Sequence, residues 1–190
     1  WQTAEIEKLG HYYHECATFN GYWIPNNAYG SQFARTGAAY TGAYAGDFDN
    51  MAYHRDFLQA PLTDTLEAGH CYKVGFYASL GDISCGVDHF GAILTSDPVM
   101  SPVGMTPQVD LDGMLLTDRV NWVFIFNYVL AVGDEAYITI GNFHSNEETT
   151  TEPDCNHPFP DLIAHYYVDD VIVEEVMVSD INVSLDDEAI

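Results

Sequence analysis

His11 and His14 stand three residues apart, and Cys155, His157 and His165 fall together near the far end of the chain. Imidazole and thiolate are transition-metal ligands, but neither group has a further ligand at a zinc-site spacing. A disulfide at Cys155 with two loop histidines beside it is the plainer account of the second group. Gly46-Asp47-Phe48-Asp49-Asn50 clusters oxygen ligands. It lacks the D-x-D-x-D-G order of an EF-hand loop, so an acidic turn is expected there before a cation site. The chain contains no G-x-S-x-G nucleophile elbow, no H-E-x-x-H and no phosphate loop. Paired carboxylates for glycoside hydrolysis are present only in the sense that carboxylates are everywhere, and abundance is not evidence. The chain is therefore expected to be non-catalytic.

Sugar binding would need exposed aromatic rings beside polar groups, on loops held by a rigid scaffold. The stretch 11–29 offers Tyr12, Tyr13, Tyr22 and Trp23 as ligand-binding candidates. Packing beneath a long loop is the competing reading for all four. Cys16, Cys71, Cys85 and Cys155 are widely spaced and even in number, which fits two disulfides with three possible connectivities. Cys85 and Cys155 lie in loops that follow strands and are expected to pair with each other. Cys16 would then pair with Cys71.

Charge narrows the partners. Among 190 residues, 29 are acidic and five are basic, a net charge of −24. Nucleic acid would be repelled, because phosphate binding needs clustered Lys and Arg. Anionic membrane surfaces are disfavoured for the same reason. No apolar run approaches the length of a membrane span, so membrane insertion is not expected. A start at Trp1 rather than Met is expected of a processed or partial chain.

The elements that would position these residues are strands. Tyr, Phe, Val, Ile and Thr are plentiful and suit a pleated, half-buried surface. Residues 71–80 (CYKVGFYASL) alternate with period two, placing Tyr72, Val74, Phe76 and Ala78 on one face. Residues 120–132 place Trp122, Phe124, Phe126 and Tyr128 on one face, and the first three are expected in the core. Gly133-Asp134 then reads as a turn into 135–142, where Ile138 and Ile140 are expected to be buried. Further strands are expected over 37–46, 52–60, 89–95 and 164–176, with irregular chain over 1–36. The acidic stretch 143–161 reads as a long loop, functional or disordered. The fold class is all-β, an antiparallel two-sheet jelly-roll β-sandwich.

Several stretches, taken in order, carry a resemblance: IPNNAYGSQFARTGAAYTG (24–42), YHRDFLQAPL (53–62), LEAGHCYKVGFYASLGDIS (66–84), LTDRVNWVF (116–124), VGDEAYITIGNF (132–143) and YYVDDVIV (166–173). Over most of residues 16–176 the chain resembles the galactose-binding-like jelly rolls of secreted surface proteins of gliding and marine Bacteroidetes. Those domains occur beside gliding-motility-associated and type IX secretion segments. The resemblance implies a secreted, cell-surface location. It also implies a structural calcium, with Asp169 or Asp170 of the D-D-V motif as ligand and Gly42 as carbonyl donor. Calcium wants several hard oxygens at about 2.3–2.6 Å, which such groups supply.

The chain departs from that pattern at both ends. It lacks the usual opening strand, and residues 177–190 continue past the usual end. A jelly-roll domain over 1–176 is therefore expected, followed by an extra strand or a linker to a further domain. Residues 178–185 have the alternation to pair with an exposed edge, their own or a neighbour's, as in donor-strand complementation. The function expected is a structural or adhesive module, a unit of a larger secreted assembly whose partners are other copies or other domains. The alternative is a carbohydrate-binding module targeting a polysaccharide.

Overall fold

The computed structural model describes residues 2–3, 10–47, 55–155 and 163–177. Eleven strands follow in chain order: β1 (Gln2–Thr3), β2 (His11–His14), β3 (Asn26–Asn27), β4 (Gly30–Ser31), β5 (Ala39–Asp47), β6 (Leu58–Pro61), β7 (Cys71–Leu80), β8 (Gly91–Thr95), β9 (Val123–Leu130), β10 (Tyr137–Gly141) and β11 (Ile163–Glu175). One 3-10 turn, Asn20–Tyr22, precedes β3. A four-stranded sheet runs β1-β6-β10-β8 and a five-stranded sheet runs β2-β5-β11-β7-β9, while β3 and β4 form a small ribbon. Every paired ladder is antiparallel. From β5 to β11, consecutive strands alternate between the two large sheets. The protein is an antiparallel two-sheet β-sandwich.

Alternation builds the core. In β7, Tyr72, Val74, Phe76 and Ala78 all point inward, as their spacing predicts, and Ile138 and Ile140 of β10 meet them from the other sheet. Leu58, Leu94, Tyr166 and Val168 complete this layer. Strand β9 departs from expectation. Its buried residues are Ile125 and Val129, whereas Trp122 and Phe124 are only half-buried and Phe126 is 47% exposed. The alternation is as read, but the opposite face is turned inward. The reason lies in the partner strand. Phe76, already buried, sits opposite Ile125, and Gly75 sits opposite Phe126.

The outer faces are partly covered. On the smaller sheet Gln59 donates to Val99 O and to Thr139 Oγ1, drawing the segment after β8 across the sheet. On the larger sheet the 15–36 segment lies over Tyr13, Tyr40 and Tyr167, with Ile24 packed among them. The acidic stretch after β10, described to residue 155, is tied down. Arg119 Nη2 donates to Glu152 Oε2 at 2.6 Å and to Ser84 O at 2.9 Å, and Glu152 N donates to Gly86 O.

The Cys85–Cys155 disulfide closes the same junction, with 5.8 Å between the α-carbons. The pairing expected of Cys16 with Cys71 is not formed, and both are free thiols. Cys16 follows β2 and Cys71 opens β7, with β5 and β11 standing between those strands. Three strand spacings of about 4.8 Å exceed the roughly 7 Å that a disulfide spans between α-carbons. Residues 178–185, expected to form a further strand, lie outside the described residues, as do 48–50 of the acidic turn.

Candidate functional site

Strand β9 is an edge of the five-stranded sheet. Tyr128 N–H donates to Asn127 Oδ1 rather than across the ladder. By alternation, the N–H groups of Phe124 and Phe126 point to that same outer side. The side chains of Phe124, Phe126 and Tyr128 stand on the outer face, because Ile125 and Val129 take the inner one. They form a ladder. Tyr77 of β7 stacks on Phe124 at 4.6 Å between ring centroids, Phe124 stacks on Phe126 at 4.8 Å, and Tyr128 meets Phe126 edge-on at 6.0 Å. The Arg35 guanidinium lies 3.4 Å above the Tyr77 ring, and Lys73 Nζ lies 4.9 Å from Phe124 and 5.2 Å from Phe126.

The apolar surface continues to the end of the strand and just beyond it, with Leu130 68% and Val132 84% exposed. In a chain this acidic, residues 120–132 contain no Asp or Glu. A long edge strand with an apolar outer face is what soluble proteins normally avoid, since it offers a template for another strand. The stacked rings turn their faces toward one another and their edges to solvent. That geometry suits packing against another protein surface better than a flat sugar platform.

The aromatic candidates of the first loops divide. Tyr13 is not a ligand-facing residue: it is fully buried, with its ring 5.1 Å from Tyr40 and 5.5 Å from Tyr167. It points to the covered outer face of the sheet, whereas its neighbour Tyr12 points the other way and is exposed. Tyr22 and Trp23 are exposed as well, joined by Phe19 and Phe33, which the sequence did not single out. Trp23 Nε1 donates to Glu15 O, so its indole is oriented.

The calcium candidates are engaged otherwise. Asp169 Oδ2 accepts the Arg35 N–H at 2.9 Å, Asp170 Oδ1 accepts the Thr36 hydroxyl at 2.6 Å, and Arg35 Nη1 pairs with Asp170 Oδ2. Asp170 adopts a left-handed backbone, φ 44°, within the bulge that interrupts the β11–β7 register. Burial raises the Asp169 carboxyl above its ordinary range, against hydrogen bonds that lower it. Gly42 lies opposite Tyr167 rather than beside the carboxylates. A Cβ at Gly42 would come within 2.8 Å of His165 Nε2, so the bare backbone makes room for that ring.

His165 belongs to a cluster that joins distant histidines. Its Nε2 lies 3.0 Å from His11 Nδ1 and 3.3 Å from the Tyr13 hydroxyl, and its ring stacks on Tyr29 at 3.8 Å. Burial depresses both imidazoles, His165 well below the ordinary value and His11 less so. His14 instead accepts the Cys16 N–H in its own turn. The grouping of Cys155 with His165 does not arise, because Cys155 is spent in the disulfide.

Among the described residues one group has the composition of a metal centre: His89, Asp110 and His144. The sequence offered no spacing signal for it. No family model matches the chain, and none of the curated proteins matches it. Among the described residues no helix is long and apolar enough to cross a membrane.

Proposed function

We propose that this chain is a non-catalytic extracellular module of the jelly-roll type, which joins a larger surface assembly through the edge and outer face of β9. One observation carries the reading. The exposed apolar row Phe126, Tyr128 and Leu130 lies on an edge strand and continues to Val132 just past its end, within residues 119–133, which carry no acid. A second copy is the occupant. Two β9 strands would extend one sheet into the next, and like-charge repulsion is least where neither copy carries an acid. The Cys85–Cys155 disulfide supports an oxidising compartment outside the cytosol. The alternation of consecutive strands between sheets supports the jelly-roll assignment. Sedimentation over a wide concentration range tests it. Native protein is expected to self-associate, and Phe126→Glu with Tyr128→Glu is expected to be monomeric with an unchanged circular dichroism spectrum. A native protein that stays monomeric throughout overturns the reading.

A carbohydrate-binding role is the second reading. It rests on the exposed rings of Tyr12 on β2 and of Phe19, Tyr22 and Trp23 in the segment that follows. A glycan array distinguishes the two: binding abolished by Trp23→Ala, in a variant that still self-associates, favours recognition of a polysaccharide.

A further inference from the structure

Three side chains from three separate segments converge where β8 begins and β10 ends. His89 lies two residues before Gly91, and His144 lies three residues beyond Gly141. Gly91 and Gly141 are register partners, so the two histidines emerge side by side. Their rings stack at 3.7 Å, inclined by 19°. Asp110 arrives from a third segment, because Val109 bridges Ala92. That crossing runs directly over Gly91. A Cβ there would overlap Val109 O and stand 3.0 Å from the Asp110 α-carbon, so only glycine admits the carboxylate.

The donor atoms face one another. Asp110 Oδ2 lies 2.8 Å from His89 Nδ1 and 3.2 Å from His144 Nε2. All three ligand atoms fall within 4.8 Å of each other. His144 Nε2 is screened from solvent yet makes no aligned hydrogen bond, although Asp110 is near enough for an ion pair. A screened nitrogen with no aligned hydrogen bond, beside a carboxylate and a second imidazole, stands where a cation would satisfy all three groups.

The surroundings hold these ligands in place. Arg55 Nη1 donates to Asn142 O at 3.2 Å and also to His144 O, while Nη2 donates to Asn146 Oδ1. Asn142 Oδ1 accepts the His144 N–H at 2.9 Å. Asp88 Oδ1 accepts the Thr150 N–H and lies 4.0 Å from His89 Nε2. With His89 ligating through Nδ1, its Nε2–H is left facing that carboxylate, the outer partner that metal-bound histidines commonly keep.

We propose that His89, Asp110 and His144 form a divalent transition-metal site of the zinc class. Two imidazoles and one carboxylate suit Zn²⁺ and its first-row neighbours, and three protein ligands leave one position for water. Calcium is excluded by the donor set, since it takes about six to eight oxygens. The metal would bind together the segments before β8, after β10 and around Asp110, and the chain's net charge of −24 would draw cations to it.

The test uses the whole chain stripped with chelator. Calorimetric titration with Zn²⁺ is expected to give one site per chain. Tm is expected to rise by about 5 °C at a hundredfold excess over Kd, with no comparable rise for Ca²⁺. Co²⁺ in place of Zn²⁺ is expected to give the visible absorption of a four-coordinate nitrogen and oxygen site. His144→Gln and Asp110→Asn are expected to weaken Zn²⁺ by about tenfold or more. Phe126→Ala should leave binding untouched. The Co²⁺ spectrum needs no variant, so the test survives a variant that fails to fold. Absence of a stoichiometric Zn²⁺ site overturns the proposal, as does a Co²⁺ spectrum of the six-coordinate aqua ion. Affinity that persists in His144→Gln places the ion elsewhere and overturns it too.

Discussion

Phe126 stands directly across the β7–β9 ladder from Gly75, and its Cβ occupies the space that a side chain on Gly75 would need. A Cβ at Gly75 would come within 2.6 Å of both Ile125 O and Phe126 Cβ, and within 3.0 Å of the Phe124 ring. The aromatic ladder therefore depends on a missing side chain in the neighbouring strand. Gly75→Val is expected to destabilise the fold by about 1–3 kcal/mol through overpacking. It should also disturb self-association, because Phe124 and Phe126 must move. A urea midpoint equal to that of the native protein would refute this account of Gly75.

Two thiols and one disulfide should be countable. Thiol titration of the unfolded, unreduced chain is expected to find Cys16 and Cys71 alone. Reducing Cys85–Cys155 releases a loop closed across a sequence separation of 70. Loop-closure entropy puts the loss at about 4 kcal/mol, an upper value for a loop of that length. Finding four thiols, or a stability indifferent to reductant, counts against the bond.

Stability should fall on both sides of neutrality. His165 and His11 have depressed pKa values in the folded protein because burial disfavours their charged forms. The unfolded chain takes up protons at these residues below about pH 6.5, while the folded chain does not. Acid therefore favours unfolding, by up to about 1.4 kcal/mol per pH unit for each histidine fully out of equilibrium. His165→Gln is expected to shallow that slope by up to one proton as pH falls below about 6.5. Tyr13, Tyr40, Tyr44, Tyr166 and Tyr167 are all raised, chiefly by burial. Their folded forms stay neutral while the unfolded chain ionises, so stability should also be lost above about pH 10. Identical acid slopes in the native and His165→Gln proteins would contradict the histidine part.

Arg55 is almost fully buried, and burial pushes its pKa down to about 10. The acceptors Asn142 O, His144 O and Asn146 Oδ1 hold the loop after β10. Arg55→Met keeps much of the volume and removes every donor. It is expected to cost about 2–4 kcal/mol, because the buried carbonyls lose their partner. Hydrogen exchange should show the loss of protection concentrated in 142–149. Protection lost evenly across the sandwich would mean that Arg55 acts on the whole core instead.

Local pattern was enough for much of the fold. The alternation in 71–80 and 135–142 was enough for both strands and their inward faces, because Val74 and Phe76 share one face, Ile138 and Ile140 share another, and all four are buried. What tertiary structure decided is whatever depends on the facing partner. Period two is the same for either face of β9, and Gly75 with Phe76 on β7 settled that Ile125 goes in and Phe126 stays out. Tyr12 and Tyr13 are adjacent and chemically alike; alternation sends them to opposite faces, and the covering segment decides that the Tyr13 face is the buried one. His89, Asp110 and His144 carry no spacing signal, because their meeting follows from the Gly91–Gly141 register and from a crossing over Gly91. A sequence records neighbours along the chain, and these contacts arise when strands distant in sequence are laid side by side.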